Sequence, residues 1–126
     1  MDITTPPFDP RAGRRMKLRD AVRWTEKFRR DHNEPTEKPT LSHYFGKDFL
    51  LGMLNEKPEC AGLRFYQAID DLGVGRVVVV GVDDKGNDLL PHRMSDGTLP
   101  DDGDGAVGDT PMGCPENCDP NSPLMQ

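Results

Sequence analysis

At 126 residues, with 34% hydrophobic and 6% aromatic side chains, the chain falls below the roughly 45–50% apolar content of ordinary globular domains, which argues against a compact core along its whole length. The net charge of −6 is unevenly spread: residues 11–30 hold nine Arg and Lys against Asp20 and Glu26, whereas residues 94–126 hold seven Asp and Glu and no Lys or Arg. No run of about 18 apolar residues occurs, which excludes a helical membrane span, and Met1 to Pro7 lacks the charged and apolar regions of a secretory signal, so a cytoplasmic protein is expected.

Residues 1–16, with Pro6, Pro7, Pro10 and Gly13, read as a flexible arm. From Lys17 to His32, Leu18, Ala21, Val22, Thr25 and Phe28 follow the spacing of one helix face, with Trp24 on its border. Trp24 and Phe28 are expected in the core or at its rim. Arg19, Arg23, Lys27 and Arg30 occupy the other face, and Asn33-Glu34-Pro35 ends the helix, because a residue before proline is pushed out of helical geometry. A second helix, capped by Thr40 or Ser42, carries Phe45, Phe49, Leu50, Met53 and Leu54 and closes at Pro58, with Gly46 and Gly52 weakening it.

Leu63, Phe65 and Ile69 alternate with Arg64, Tyr66 and Ala68, the period of a strand with one buried face. Val77 to Val80 and Val82 form a β-branched run typical of a strand covered on both faces or central in its sheet. Asp70 to Gly75 joins the two as a hairpin. After the turn Asp83 to Asp88, the stretch Asp88-Leu89-Leu90 returns as a short third strand, confined to an edge by Pro91. The expected object is α+β: two helices packed on a small antiparallel sheet of two or three strands, forming one domain over residues 17–91. Residues 92–126 read as a disordered acidic Gly/Pro-rich tail bearing Cys114 and Cys118. A sheet this small keeps an open edge, which is either protected or used for binding.

Cys114-Pro115-Glu116-Asn117-Cys118 is the most unusual local feature. Three readings stand: a short adhesive tail motif able to form a disulfide, a redox pair, or half of a zinc site. Redox pairs more often have two intervening residues at a helix start, and zinc would need two further ligands from Cys60, His32, His43 or His92. Cys60, beside Ala61 and Leu63, reads as a small buried hydrophobe, with pairing to His43 as its alternative. The Asp-rich stretches at Asp83 to Asp88 and Asp101 to Asp104 lack the calcium-loop pattern, and Gly73-Val74-Gly75-Arg76 lies between strands, so it is a turn rather than a dinucleotide loop. P-loop, serine-hydrolase and zinc-protease signatures are missing from the sequence. Arg19, Arg23, Lys27 and Arg30, with Trp24, Tyr44, Phe65 or Tyr66 as stacking partners, offer a nucleic-acid reading that the acidic balance opposes.

The blocks Ala21-Val22-Arg23-Trp24-Thr25, Phe45-Gly46-Lys47-Asp48, Cys60 to Tyr66, Val80-Gly81-Val82-Asp83 and Cys114-Pro115-x-x-Cys118 resemble a family of short bacterial proteins with a C-terminal Cys-Pro-x-x-Cys motif and no assigned activity. The likeness covers residues 18–90 and the tail motif. It implies a helix, helix and hairpin unit with a cysteine-bearing tail, and it transfers no catalytic residue.

The expectation is a non-enzymatic protein without a cofactor that binds a protein partner or assembles with itself. It would use the sheet edge, the basic row Arg19, Arg23, Lys27 and Arg30, and the tail motif Cys114, Pro115 and Cys118. The alternatives are a metal- or thiol-dependent protein, with zinc held by Cys60, Cys114, Cys118 and His43, and a nucleic-acid binder acting through the first helix.

Overall fold

A computed structural model of the chain describes residues 8–32, 38–91, 95–98 and 105–125. Its elements run α1 (Leu18–Asp31), β1 (Ser42–His43), α2 (Lys47–Asn55), β2 (Gly62–Ile69), β3 (Gly75–Val82), β4 (Val107–Gly108) and β5 (Gly113–Cys114). The fold is α+β, with two small sheets ordered β2-β3-β4 and β1-β5.

The chain divides into two compact units that alternate along the sequence. One comprises Met1–Ala12, Phe45–Ala68 and Val77–Asp109, and the other Gly13–Tyr44, Ile69–Arg76 and Thr110–Gln126.

The first unit is organised by β3. Val77, Val79, Val80 and Val82 are all buried, Val79 completely so, as expected of β-branched residues on a central strand. β2 lies on one side of β3 and β4 on the other. A five-residue connection from β2 to β3 permits only antiparallel pairing. The β4 side pairs Val79 with Gly108 and Val80 with Val107. α2 packs through buried Met53 and through Phe49, whose ring occupies the space a side chain at Gly108 would fill. Phe45 meets Phe65 of β2 edge-on, ring centroids 5.7 Å apart. Gly86 has φ of +89°, and Phe8 covers it so closely that no Cβ fits, two independent reasons for glycine at that turn.

Three sequence expectations change here. α2 starts at Lys47 with Gly46 at its N-cap and no side-chain cap, while Ser42 belongs to β1 and Thr40 precedes that strand. The third strand is β4, from the acidic tail; Asp88 makes only an isolated bridge to Val82, because Leu90 lies next to Pro91, which has no N–H to extend a ladder. β2 has no buried residue at all, so its alternation marks two half-open faces.

The second unit holds α1, the hairpin tip and β1 paired with β5, Ser42 opposite Cys114 and His43 opposite Gly113. Leu41 N–H donates to the Cys114 carbonyl and Tyr44 N–H to that of Met112, extending this pairing on both sides. At the tip, Asp70 Oδ1 accepts from the backbone of Leu72 and Val74, and Oδ2 pairs with Arg76 at 2.9 Å. Arg76 also donates to the Thr110 carbonyl. α1 has no buried residue.

Candidate interaction surfaces

Each unit presents a candidate surface among its described residues. In the first it is β2, the outer strand of its sheet, whose ladder neighbour among the described residues is β3 alone. Edge strands are usually blunted by a proline, a free charge or a covering segment. Gly62-Leu63-Arg64-Phe65-Tyr66-Gln67-Ala68-Ile69 has no proline, and Arg64 is its only charge. That charge is taken up by Asp88 at 2.6 Å, whose second oxygen accepts from the Tyr66 hydroxyl. Arg64 also lies over the Phe8 ring, 5.3 Å from its centroid. The strand itself therefore carries no free charge, with Phe65 and Tyr66 49% and 45% exposed along it, while Phe8, Pro10 and Ala12 share a cleft with its first half.

In the second unit the candidate surface is a groove of about 400 Å³ lined by Trp24, Phe28, Leu41, Leu124 and Met125 together with Thr25, Arg29, Ser42, Asp119 and Ser122. Trp24 and Phe28 are 53% and 43% exposed, which leaves the rim and not the core of the two places expected for them, since no residue of α1 is buried. The C-terminal wall is fixed at two points: Arg29 donates to the Leu124 carbonyl, and Cys114 Sγ lies 3.8 Å from Met125 Sδ. Arg19, Arg23, Lys27 and Arg30 are all exposed on α1, with Arg23 3.4 Å from Asp20.

Cys114 and Cys118 form a disulfide. Cys114 is fully buried while Pro115 and Glu116 are exposed, so the bond staples β5 to the segment that builds the groove wall. Joined to each other, the two sulfurs cannot act as zinc thiolates, and no group of three metal-ligating side chains occurs among the described residues. Cys60 is a free, half-buried thiol, not a fully buried one; it donates to the Gly62 carbonyl at 3.2 Å and contacts the Cβ position of Gly81. His92 and the stretch Asp101 to Asp104 lie outside the described residues. In the other Asp-rich turn, Asp83 Oδ1 accepts from the backbone of Lys85 and Asn87, so the carboxylate closes its own turn. Among the described residues no helix is long and apolar enough to cross a membrane.

His43 faces a small cleft of about 60 Å³ shared with Thr40, Arg76, Thr110 and Pro115. Its buried Nδ1 has no hydrogen-bond partner among the described residues. Burial, and then the positive charge of Arg76, hold its pKa below the ordinary 6.5. The unfolded chain therefore takes up this proton more readily than the folded one, and the associated stability is complete above pH 6.5 and declines as the pH falls below it. The melting temperature should drop between about pH 7 and pH 5, and His43→Gln should flatten that slope. Asp70 and Asp83 add a second acid limb. Backbone N–H donors, from Val74 for Asp70 and Asn87 for Asp83, hold both carboxyls below their ordinary 3.8, so their contribution is present above that value and is lost as the pH falls beneath it.

No family model, no curated protein and no solved structure matches the chain.

Proposed function

We propose that this is a non-enzymatic assembly protein whose β2 edge pairs with β2 of a second copy, antiparallel about a two-fold axis. The observation that carries the reading is an eight-residue outer strand without proline and with its one charge neutralised by Asp88, so that neither a proline nor a free charge within the strand guards it against pairing. The strand is also self-complementary. Centred on Tyr66, antiparallel pairing sets the two Tyr66 side chains opposite one another, Phe65 opposite Gln67 and Arg64 opposite Ala68, with no like charges facing. The thin core agrees, since small domains with little apolar burial gain from association.

One strand pair buries less than the roughly 1,200–2,000 Å² of a stable interface, so association should be concentration-dependent. The test is light scattering on the full chain across a dilution series, beside Gln67→Lys/Ile69→Lys. The two lysines put free charge on a strand whose only charge is otherwise paired, and both altered side chains are exposed. The reading requires a dimer that dissociates on dilution and a variant that stays monomeric with unchanged circular dichroism. A wild-type monomer at about 100 μM would remove it, that concentration being well above a micromolar Kd.

The compartment bears on this reading. The sequence suggests a cytoplasmic protein, where thiols are held reduced, whereas the Cys114–Cys118 bond belongs with an oxidising compartment. The disulfide supports the second placement.

A further inference from the structure

We propose that the groove between α1 and the C-terminal segment is a docking site for an acidic peptide segment of another protein that inserts one aromatic or aliphatic side chain. Three observations converge on that chemistry. The groove's surface is mostly apolar, Trp24 and Phe28 of α1 lining it together with Leu124 and Met125, so the central contact is an apolar anchor, the pattern that supplies most energy in small interfaces. Trp24 borders a row of exposed cations, Arg19, Arg23, Lys27 and Arg30, which recur every three or four residues and so share one helix face. Finally, this row stands in a chain of net charge −6. An acidic partner is repelled by the chain as a whole and attracted by this helix, a distribution that favours one docking position.

The same features set the partner's orientation. Asp119, in the same C-terminal segment as Leu124 and Met125, also lines the groove, and its charge repels acidic residues there, so those of the occupant belong on the α1 side. Arg29, engaged with the Leu124 carbonyl, holds that wall and is not needed for the partner's charge. This surface is independent of β2 pairing, and a protein with both would bring two copies of an acidic partner together.

The experiment starts from the full-length, oxidised protein and a random twelve-residue peptide library displayed on phage. Enriched sequences should combine several Asp or Glu with an aromatic or aliphatic residue. A synthetic enriched peptide free of tryptophan should shift the emission of Trp24, the only tryptophan in the chain, to the blue. Its affinity should fall by about tenfold or more in Arg23→Glu/Lys27→Glu, whose altered side chains are exposed and should leave the fold intact. Enrichment of basic or uncharged sequences, peptides that bind without moving the Trp24 emission, or a selection no better than background would each overturn the proposal. So would a single-stranded oligonucleotide that binds more tightly than the best peptide, since the cation row would then serve phosphates.

Discussion

Val79→Asp is expected to leave the chain unfolded at room temperature. Val79 has no solvent exposure and sits at the middle of β3, paired with Gly108 of β4. A carboxylate placed there loses its hydration and gains no cation, a penalty of several kcal/mol. A small domain has only about 5–15 kcal/mol of net stability, and the buried apolar residues described here are few: Met53, four valines of β3 and Cys114. The comparison is Leu72→Asp at the hairpin tip, where the side chain is 88% exposed and the change should stay within about 0.5 kcal/mol. Far-ultraviolet circular dichroism distinguishes them: the first variant should lose its folded signal and the second should melt like the parent. A Val79→Asp protein that melts cooperatively near the parental temperature would mean that β3 is not the core strand.

The second large effect concerns the tail. Cys118→Ser, or reduction of the wild type by a dithiol, opens a loop whose ends are four residues apart. Chain-entropy arguments give roughly 2 kcal/mol for so short a loop, equivalent to a fall in Tm of about 8 °C in a domain of this size. Trp24 emission should move to the red with it, because Leu124 and Met125 hold their places in the groove through a segment anchored at the disulfide. Thiol titration of freshly isolated protein provides the baseline. Cys60 alone should react in the oxidised protein, against three thiols after reduction. Three reactive thiols at isolation, with a Tm indifferent to dithiol, would show that the bond plays no part in stability.

The parts of the fold that were legible in the sequence are those with long, one-signed patterns. The valine run of β3 admits few alternatives, because β-branched residues on both faces suit a covered strand better than a helix. α1 was legible from apolar spacing sustained across four turns, and its observed bounds lie within a residue of the expected ones. β1, β4 and β5 are two residues each, too short for any period to register. They exist because tail residues find partners far away in sequence, Gly108 at Val79 and Cys114 at Ser42. Ser42 illustrates the competition: its hydroxyl suits a helix cap, yet long-range pairing with Cys114 takes it into a strand.

The candidate surfaces were legible only in part. An open edge follows from counting strands, but the neutralisation of Arg64 by Asp88 depends on a contact 24 residues away. The basic row on α1 could be read from spacing, whereas the groove beside it could not. Trp24 and Phe28 look like core residues on a helical wheel, and only the return of the C-terminal segment turns that stripe into a groove wall. The Cys114 and Cys118 spacing was compatible with a metal half-site, a redox pair or a disulfide, since the number of intervening residues does not set the distance between the sulfurs.

The most direct measurement of β2 pairing is amide hydrogen exchange on the full chain at two protein concentrations, one below and one above the dissociation constant. In a strand bonded on one side only, alternate N–H groups point away from the sheet. These amides of Gly62–Ile69 should exchange quickly in dilute solution and become protected when concentrated, while those of α1 remain unchanged. Equal exchange across β2 at both concentrations would contradict the account.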